Sequence, residues 1–130
     1  MKYSPEQLIQ QKILILDGAM WTMIQKHRLH ENDFRGDQFK DHPMLQKGNN
    51  DLLSITKPEI IKGIHRQYLE AGADIITTNT FNSNRISMSD YGMESQVYNL
   101  NLQSAHLAAQ SITEFENSRE PEEHFIAGTL

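Results

Sequence analysis

The 130-residue chain contains no cysteine. That excludes disulfides, thiolate nucleophiles and any zinc site built on sulfur. A metal site here would have to use His, Asp and Glu alone. Basic charge is also short: 12 Lys and Arg against 17 Asp and Glu leave −5. A nucleic-acid-binding surface needs the opposite balance, and none is expected. No apolar run approaches the roughly 20 residues of a membrane span. The opening MKYSPEQLIQ lacks the apolar core of a signal peptide, so a cytoplasmic protein is expected. Glycines occur in neither GxGxxG nor P-loop spacing. No segment repeats and none is of low complexity.

What is present reads as alternating strands and helices. Ile13-Leu14-Ile15-Leu16 is a continuous apolar run that stops at Asp17-Gly18. Continuous apolarity predicts a strand near 12–17 buried on both faces. Residues 19–56 carry loop signals, with a short helix over 22–28, and predict a long functional loop. Thr56-Lys57-Pro58-Glu59 reads as a capping box opening a helix near 57–71, closed by Gly72. Residues 73–78 predict a second strand with the polar end Thr77-Thr78-Asn79-Thr80. Asn82 to Gly92 reads as loop. A long helix follows near 94–115. Val97, Leu100, Leu107, Ala108, Ile112 and Phe115 share its apolar stripe with Ser104 and Ser111. Phe125-Ile126-Ala127-Gly128-Thr129-Leu130 begins a third strand, near 125–130.

This order predicts an α/β fold with a parallel βαβαβ sheet. Such a sheet is normally covered on both faces, and two helices cover one. The chain therefore reads as the opening part of a larger α/β unit. A complete small three-stranded domain is the alternative. Exposed sheet edges also open the way to self-association.

In parallel α/β folds, ligands bind at the carboxyl ends of strands. Two segments qualify: Asp17-Gly18-Ala19-Met20-Trp21-Thr22 and Thr77-Thr78-Asn79-Thr80-Phe81. Asp17 can pair an ammonium, while hydroxyls and backbone N–H groups can hold a carboxylate. That set suits a zwitterion. Equally, Asp17 can cap a turn while Thr78 and Asn79 tie a loop. His27 and His30 lie three apart, but without a third ligand nearby they read as a solvated face.

Several segments together resemble the homocysteine-binding domain of the cobalamin-dependent methionine synthases. They are Ile13-Leu14-Ile15-Leu16-Asp17-Gly18-Ala19-Met20, then Thr22-Met23-Ile24-Gln25 and Glu31-Asn32-Asp33-Phe34-Arg35-Gly36. Lys47-Gly48-Asn49-Asn50-Asp51-Leu52-Leu53, Ala71-Gly72-Ala73-Asp74-Ile75-Ile76, Thr78-Asn79-Thr80-Phe81-Asn82-Ser83 and Phe125-Ile126-Ala127-Gly128 continue the series. The resemblance covers about residues 10–130. It implies a (β/α)8 TIM barrel, of which this chain holds the amino-terminal portion. It implies methyl transfer from methylcobalamin, ultimately from methyltetrahydrofolate, to homocysteine, giving methionine. It also implies zinc held by three cysteines that activates the substrate sulfur.

Carried over by position, the resemblance puts Asp17, Gly18, Thr22, Thr78 and Asn79 around the amino-acid part of homocysteine. It assigns this chain no catalytic and no metal-ligating residue. The chain alone is expected to lack activity and to bind neither zinc nor cobalamin. A non-catalytic partial barrel serving as an assembly module is the alternative. Two positions depart from the family pattern. Trp21 stands where the family has glycine. If that backbone needs positive φ, the exchange costs roughly 1–2 kcal/mol, and Trp21→Gly in a full barrel would then raise stability and substrate affinity; alternatively, Trp21 swings outward and packs on the long loop. Thr77 stands where the family usually has glutamate.

Overall fold

The computed structural model describes residues 3–119 and 122–129. Seven α-helices and two strands occur among them. The helices are α1 (Pro5–Leu8), α2 (Met20–Gln25), α3 (Glu31–Arg35), α4 (Leu53–Thr56), α5 (Pro58–Glu70), α6 (Arg85–Ser89) and α7 (Val97–Asn117). Short 3-10 turns precede α4 and α7. The strands β1 (Ile75–Thr77) and β2 (Phe125–Ala127) pair in parallel, Ile75 opposite Phe125 and Thr77 opposite Ala127. The fold is thus mixed α/β around a two-stranded parallel sheet.

The strand expected near 12–17 is reduced to one parallel bridge, Leu16 to Ile75. Ile15 O accepts from the N–H groups of Asp74 (2.8 Å) and Ile75 (3.1 Å), and Asp17 N–H donates to Ile75 O (2.9 Å). The ladder goes no further because the Asp74 carboxylate takes the Ile15 N–H (2.9 Å) and the Lys12 ammonium (2.8 Å). Nor is the segment buried: Ile13 is 87%, Ile15 55% and Leu16 57% exposed. No described element covers that face. β1 is shorter than 73–78 because the Ala73 N–H closes the end of α5 on Tyr68 O (3.0 Å). Of the strand expected at 125–130, Gly128 and Thr129 lie outside the ladder, and Leu130 lies outside the described residues.

The long helices follow from their apolar spacing. α5 buries Ile61, Ile64, His65 and Leu69. α7 buries Leu100, Ser104, Leu107, Ala108, Ser111, Ile112 and Phe115. The serines on that stripe keep their hydroxyls satisfied; Ser111 Oγ donates to Leu107 O (2.7 Å). Both helices pack on β1 through Leu69, Ala73, Ile76, Ala108, Ile112 and Phe115. A second cluster joins α2, α3 and α4 to them through Ile24, Phe34, Leu53, Ile61, Ile64 and Leu107. A third, with Phe39, Leu52, Met88, Met93 and Leu100, anchors the segment around α6. Pro58 opens α5 as its composition predicts. The capping box does not form: Lys57 is the N-cap, and Thr56 Oγ1 donates instead to Leu52 O (3.3 Å) within α4. Gly72, at φ +106, supplies the left-handed turn that ends α5.

The segment 19–56 is not a long loop. It holds three short helices, and Asn82–Gly92 holds α6. Asn84 caps α6 by accepting the Ser87 N–H (2.9 Å).

Candidate functional site

A cleft of about 420 Å³ opens at the carboxyl ends of β1, β2 and the Leu16 bridge. One wall is Leu16 to Trp21, the other Thr77 to Phe81, with Thr129 beyond β2. The two strand-end segments expected to carry chemistry therefore converge on one cavity. Asp17, on the first wall, bonds across to Thr77 on the second. Its Oδ2 accepts the Thr77 N–H (2.9 Å) and its Oδ1 accepts the Thr77 hydroxyl (2.9 Å). The turn-capping role is thus present. A carboxylate offers about four lone-pair positions, so acceptor capacity remains for a cation in the cleft. Thr77 thus gives Asp17 two donors.

Gly18 lets a phenol approach. A Cβ built there would lie 3.0 Å from the Tyr68 hydroxyl oxygen and 3.1 Å from its ring. Tyr68, on α5, donates its hydroxyl to Ala19 O (2.9 Å) and so fixes the turn entering α2. Thr78 and Thr80 share a hydroxyl contact of 2.7 Å. Asn79 is buried on the cleft wall, and its amide bonds to the segment before α5. Its Nδ2 donates to Asn50 O (3.0 Å) and to Ser54 Oγ (3.3 Å), which in turn accepts from Ser104 Oγ (2.9 Å). Thr22 is exposed on α2 and does not line the cleft. On a helix it turns about 100° from Trp21, which does.

Sequence reasoning gave Asp51 no individual role. It is fully buried, and its Oδ2 accepts the Asn82 N–H (2.7 Å) and the Ser83 hydroxyl (2.8 Å). Its Oδ1 has no partner among the described residues. Burial raises its pKa above the usual carboxylate value, against the pull of the Ser83 and Asn82 donors. These bonds fasten the turn that follows Phe81. Its sequence signals were its place in the Lys47–Leu53 segment of the family resemblance and in the 19–56 stretch expected as loop.

Trp21 and Phe81, one on each wall of the cleft, meet edge to face, with centroids 5.5 Å apart and planes at 80°. Trp21 lies in the first turn of α2, and the only non-glycine with positive φ among the described residues is Arg28. The backbone strain expected at Trp21 is therefore absent. Trp21→Gly is expected to lower stability by about 1 kcal/mol, through helix propensity and the lost aromatic contact. Urea unfolding of both chains checks this; a raised midpoint in the variant would contradict it.

Among the described residues, no group of three or more His, Asp or Glu is placed to hold a metal ion, and cysteine is lacking. No helix among them is long and apolar enough to cross a membrane.

The parallel sheet, its helical cover and a cleft at the strand ends define a mixed α/β protein with a candidate small-molecule site. The model of the homocysteine S-methyltransferase family matches residues 14–130, and the chain belongs to that family. The fold is similar to the homocysteine methyltransferase MmuM from Escherichia coli. Against its metallated form the TM-score is 0.72 at 22% identity, covering 95% of this chain and 39% of that one. Against its oxidized form the TM-score is 0.75 at 22% identity, covering 97% and 40%. The chain thus spans about two fifths of the length of MmuM.

Proposed function

We propose that the chain is the amino-terminal portion of a (β/α)8 barrel and recognises the amino-acid part of homocysteine in a methionine synthase-type methyltransferase. The observation that carries this reading is the convergence of Asp17 and the Thr77–Thr80 segment on one cleft at the strand ends. Asp17, held by Thr77, takes the substrate ammonium. The Thr78 and Thr80 hydroxyls and the backbone at Gly18 lie on the walls that face its carboxylate. Asn79 acts as a positioning residue: its amide ties the cleft wall to Asn50 and Ser54. Thr22 has no part in this arrangement.

The family resemblance brings zinc and cobalamin with it. The residues of this chain do not fit the zinc: there is no cysteine and no cluster of three ligands among the described residues. The role of this chain is binding and orientation, and sulfur activation belongs to residues it does not contain.

Titration of the 130-residue chain with L-homocysteine, followed by amide NMR, tests the reading. Shifts are expected at residues 17–21 and 77–81, with weak affinity that zinc does not change. Asp17→Asn is expected to weaken binding about tenfold, the scale of one charge-assisted hydrogen bond. Shifts outside the cleft, or binding indifferent to Asp17→Asn, would overturn it. Tight, zinc-enhanced binding would overturn the assignment of the sulfur chemistry to residues elsewhere.

A further inference from the structure

A second cavity, of about 380 Å³, lies between the end of α2, the start of α3 and the turn at Lys47–Gly48. Its rim carries Arg28, His30 and Lys47. The side chains of Arg28 and Lys47 form no hydrogen bond or ion pair with any described residue. In a chain of net charge −5, such a grouping of unpaired cations around a cavity stands out. The carboxylates on the adjoining α3 do not neutralise it. Glu31 is bound by Arg35 and by the N–H groups of Gln46 and Lys47. Asp33 accepts the His30 N–H (2.8 Å) and pairs with Lys57 (3.7 Å).

The backbone is also unusual here. Arg28, just past the end of α2, adopts the left-handed φ of 49, which turns the chain beside the cavity. The neighbouring Gly48 stands at φ +95, and its N–H has no partner among the described residues. The inner wall is apolar, with Phe34 buried and Leu29 half-buried. Cations at the rim, a free backbone donor and an apolar floor are complementary to one kind of ligand: an oxyanion carried on a small apolar body.

We propose that this cavity is a binding site for such an organic anion, a phosphate or a carboxylate, separate from the homocysteine cleft. Arg28 and Lys47 hold the oxyanion, and Leu29 and Phe34 receive the apolar part. The site stands whether or not homocysteine binds at the sheet.

The test is an amide NMR titration of the 130-residue chain with phenyl phosphate and with benzoate. Inorganic phosphate and sodium chloride at matched ionic strength are the references. Shifts are expected at residues 28–30 and 47–48, larger for the aromatic anions than for inorganic phosphate. The tighter of the two aromatic anions identifies the headgroup. Arg28→Asn with Lys47→Gln is expected to reduce affinity about tenfold; asparagine tolerates the left-handed backbone, so the turn survives. Lys40→Gln, outside this cavity, leaves affinity unchanged. Shifts no greater than those with sodium chloride, or binding that persists in the folded double variant, would overturn the proposal.

Discussion

Between about pH 7.5 and about pH 5 the chain is expected to lose about 2 kcal/mol of stability through one residue, His65. The imidazole is fully buried on α5, and neither ring nitrogen has a hydrogen-bond partner among the described residues. Burial disfavours its charged form and pushes its pKa down to about 4, from an ordinary value of 6.5. The folded state therefore holds the neutral ring, while the unfolded chain takes up a proton near pH 6.5. Stability from this group is complete above the unfolded value. It is lost as pH falls through the interval down to about 4, where the total reaches about 3 kcal/mol. Of the shifted carboxylates, Asp51 is raised by burial and works in the opposite sense to His65, equally in both chains compared below. Glu31, where burial is outweighed by donors from Gln46, Lys47 and Arg35, and Asp74, where it is outweighed by Lys12 and the Ile15 N–H, both lie below their usual values. Urea unfolding at the two pH values, with His65→Leu alongside, isolates the effect. The variant removes two unsatisfied polar atoms, so its curve is expected to lose the His65 slope without loss of stability at neutral pH. A wild-type slope equal to that of the variant would exclude the histidine as the source.

The sequence carried the parts of the fold that rest on periodicity. The apolar stripes of α5 and α7 are long enough to rise above chance, and Pro58 and Gly72 punctuate the first of them. Of the short helices, α2 was legible as the helix expected over 22–28, and the others were not. α3 and α6 bury one residue each, Phe34 and Met88, so there is no stripe to detect. α6 is started by the Asn84 cap. The segment 12–17 shows the reverse error. Its apolar run resembles a doubly buried strand, yet the Asp74 carboxylate takes the Ile15 N–H, and the ladder ends at one bridge. A side chain 59 residues away decides that, and no local pattern reveals it.

The site divides in the same way. That Asp17 and the Thr77–Thr80 segment face one cavity follows from strand-end position alone. Which way each side chain turns does not. Asn79 is drawn to Asn50, 29 residues away, and Asp51 to Ser83, 32 away. Both contacts join the segment before α4 to the loop after β1, and neither has a sequence signature. At Trp21 the residue type suggested a strained backbone, but α2 begins one residue earlier and supplies ordinary helical geometry. Trp21 thus acts on the cleft wall, through Phe81, rather than on the chain's path.

Arg35→Ala is expected to destabilise the chain by about 3 kcal/mol and to release residues 36–48 from their fixed path. This stretch contains no regular helix or strand, and its order comes from charged hydrogen bonds. Arg35, on α3, binds Glu31 one turn back and donates to the carbonyls of His42 (2.6 Å) and Met44 (3.0 Å). Glu31 in turn accepts the N–H groups of Gln46 (2.8 Å) and Lys47 (2.7 Å). The ion pair therefore clamps both arms of the loop to one short helix. Buried Gln46 extends the clamp, donating to Tyr91 O (2.9 Å) and accepting from Asn49 (3.1 Å). Hydrogen bonds to charged groups contribute about 1.5–3 kcal/mol each, with strong overlap within a network. The segments Glu31–Gly36 and Lys47–Leu53, which carry much of the family resemblance, thus act on structure around the cleft rather than on its chemistry. Hydrogen exchange checks the prediction locally: amides of 42–49 are expected to lose protection in Arg35→Ala while those of α7 keep most of theirs. A double-mutant cycle with Glu31→Ala is expected to be strongly non-additive, because either change alone opens the same clamp. Additive effects, or unchanged protection at Gln46 and Lys47, would show that the loop is held by its packing on Phe39 instead.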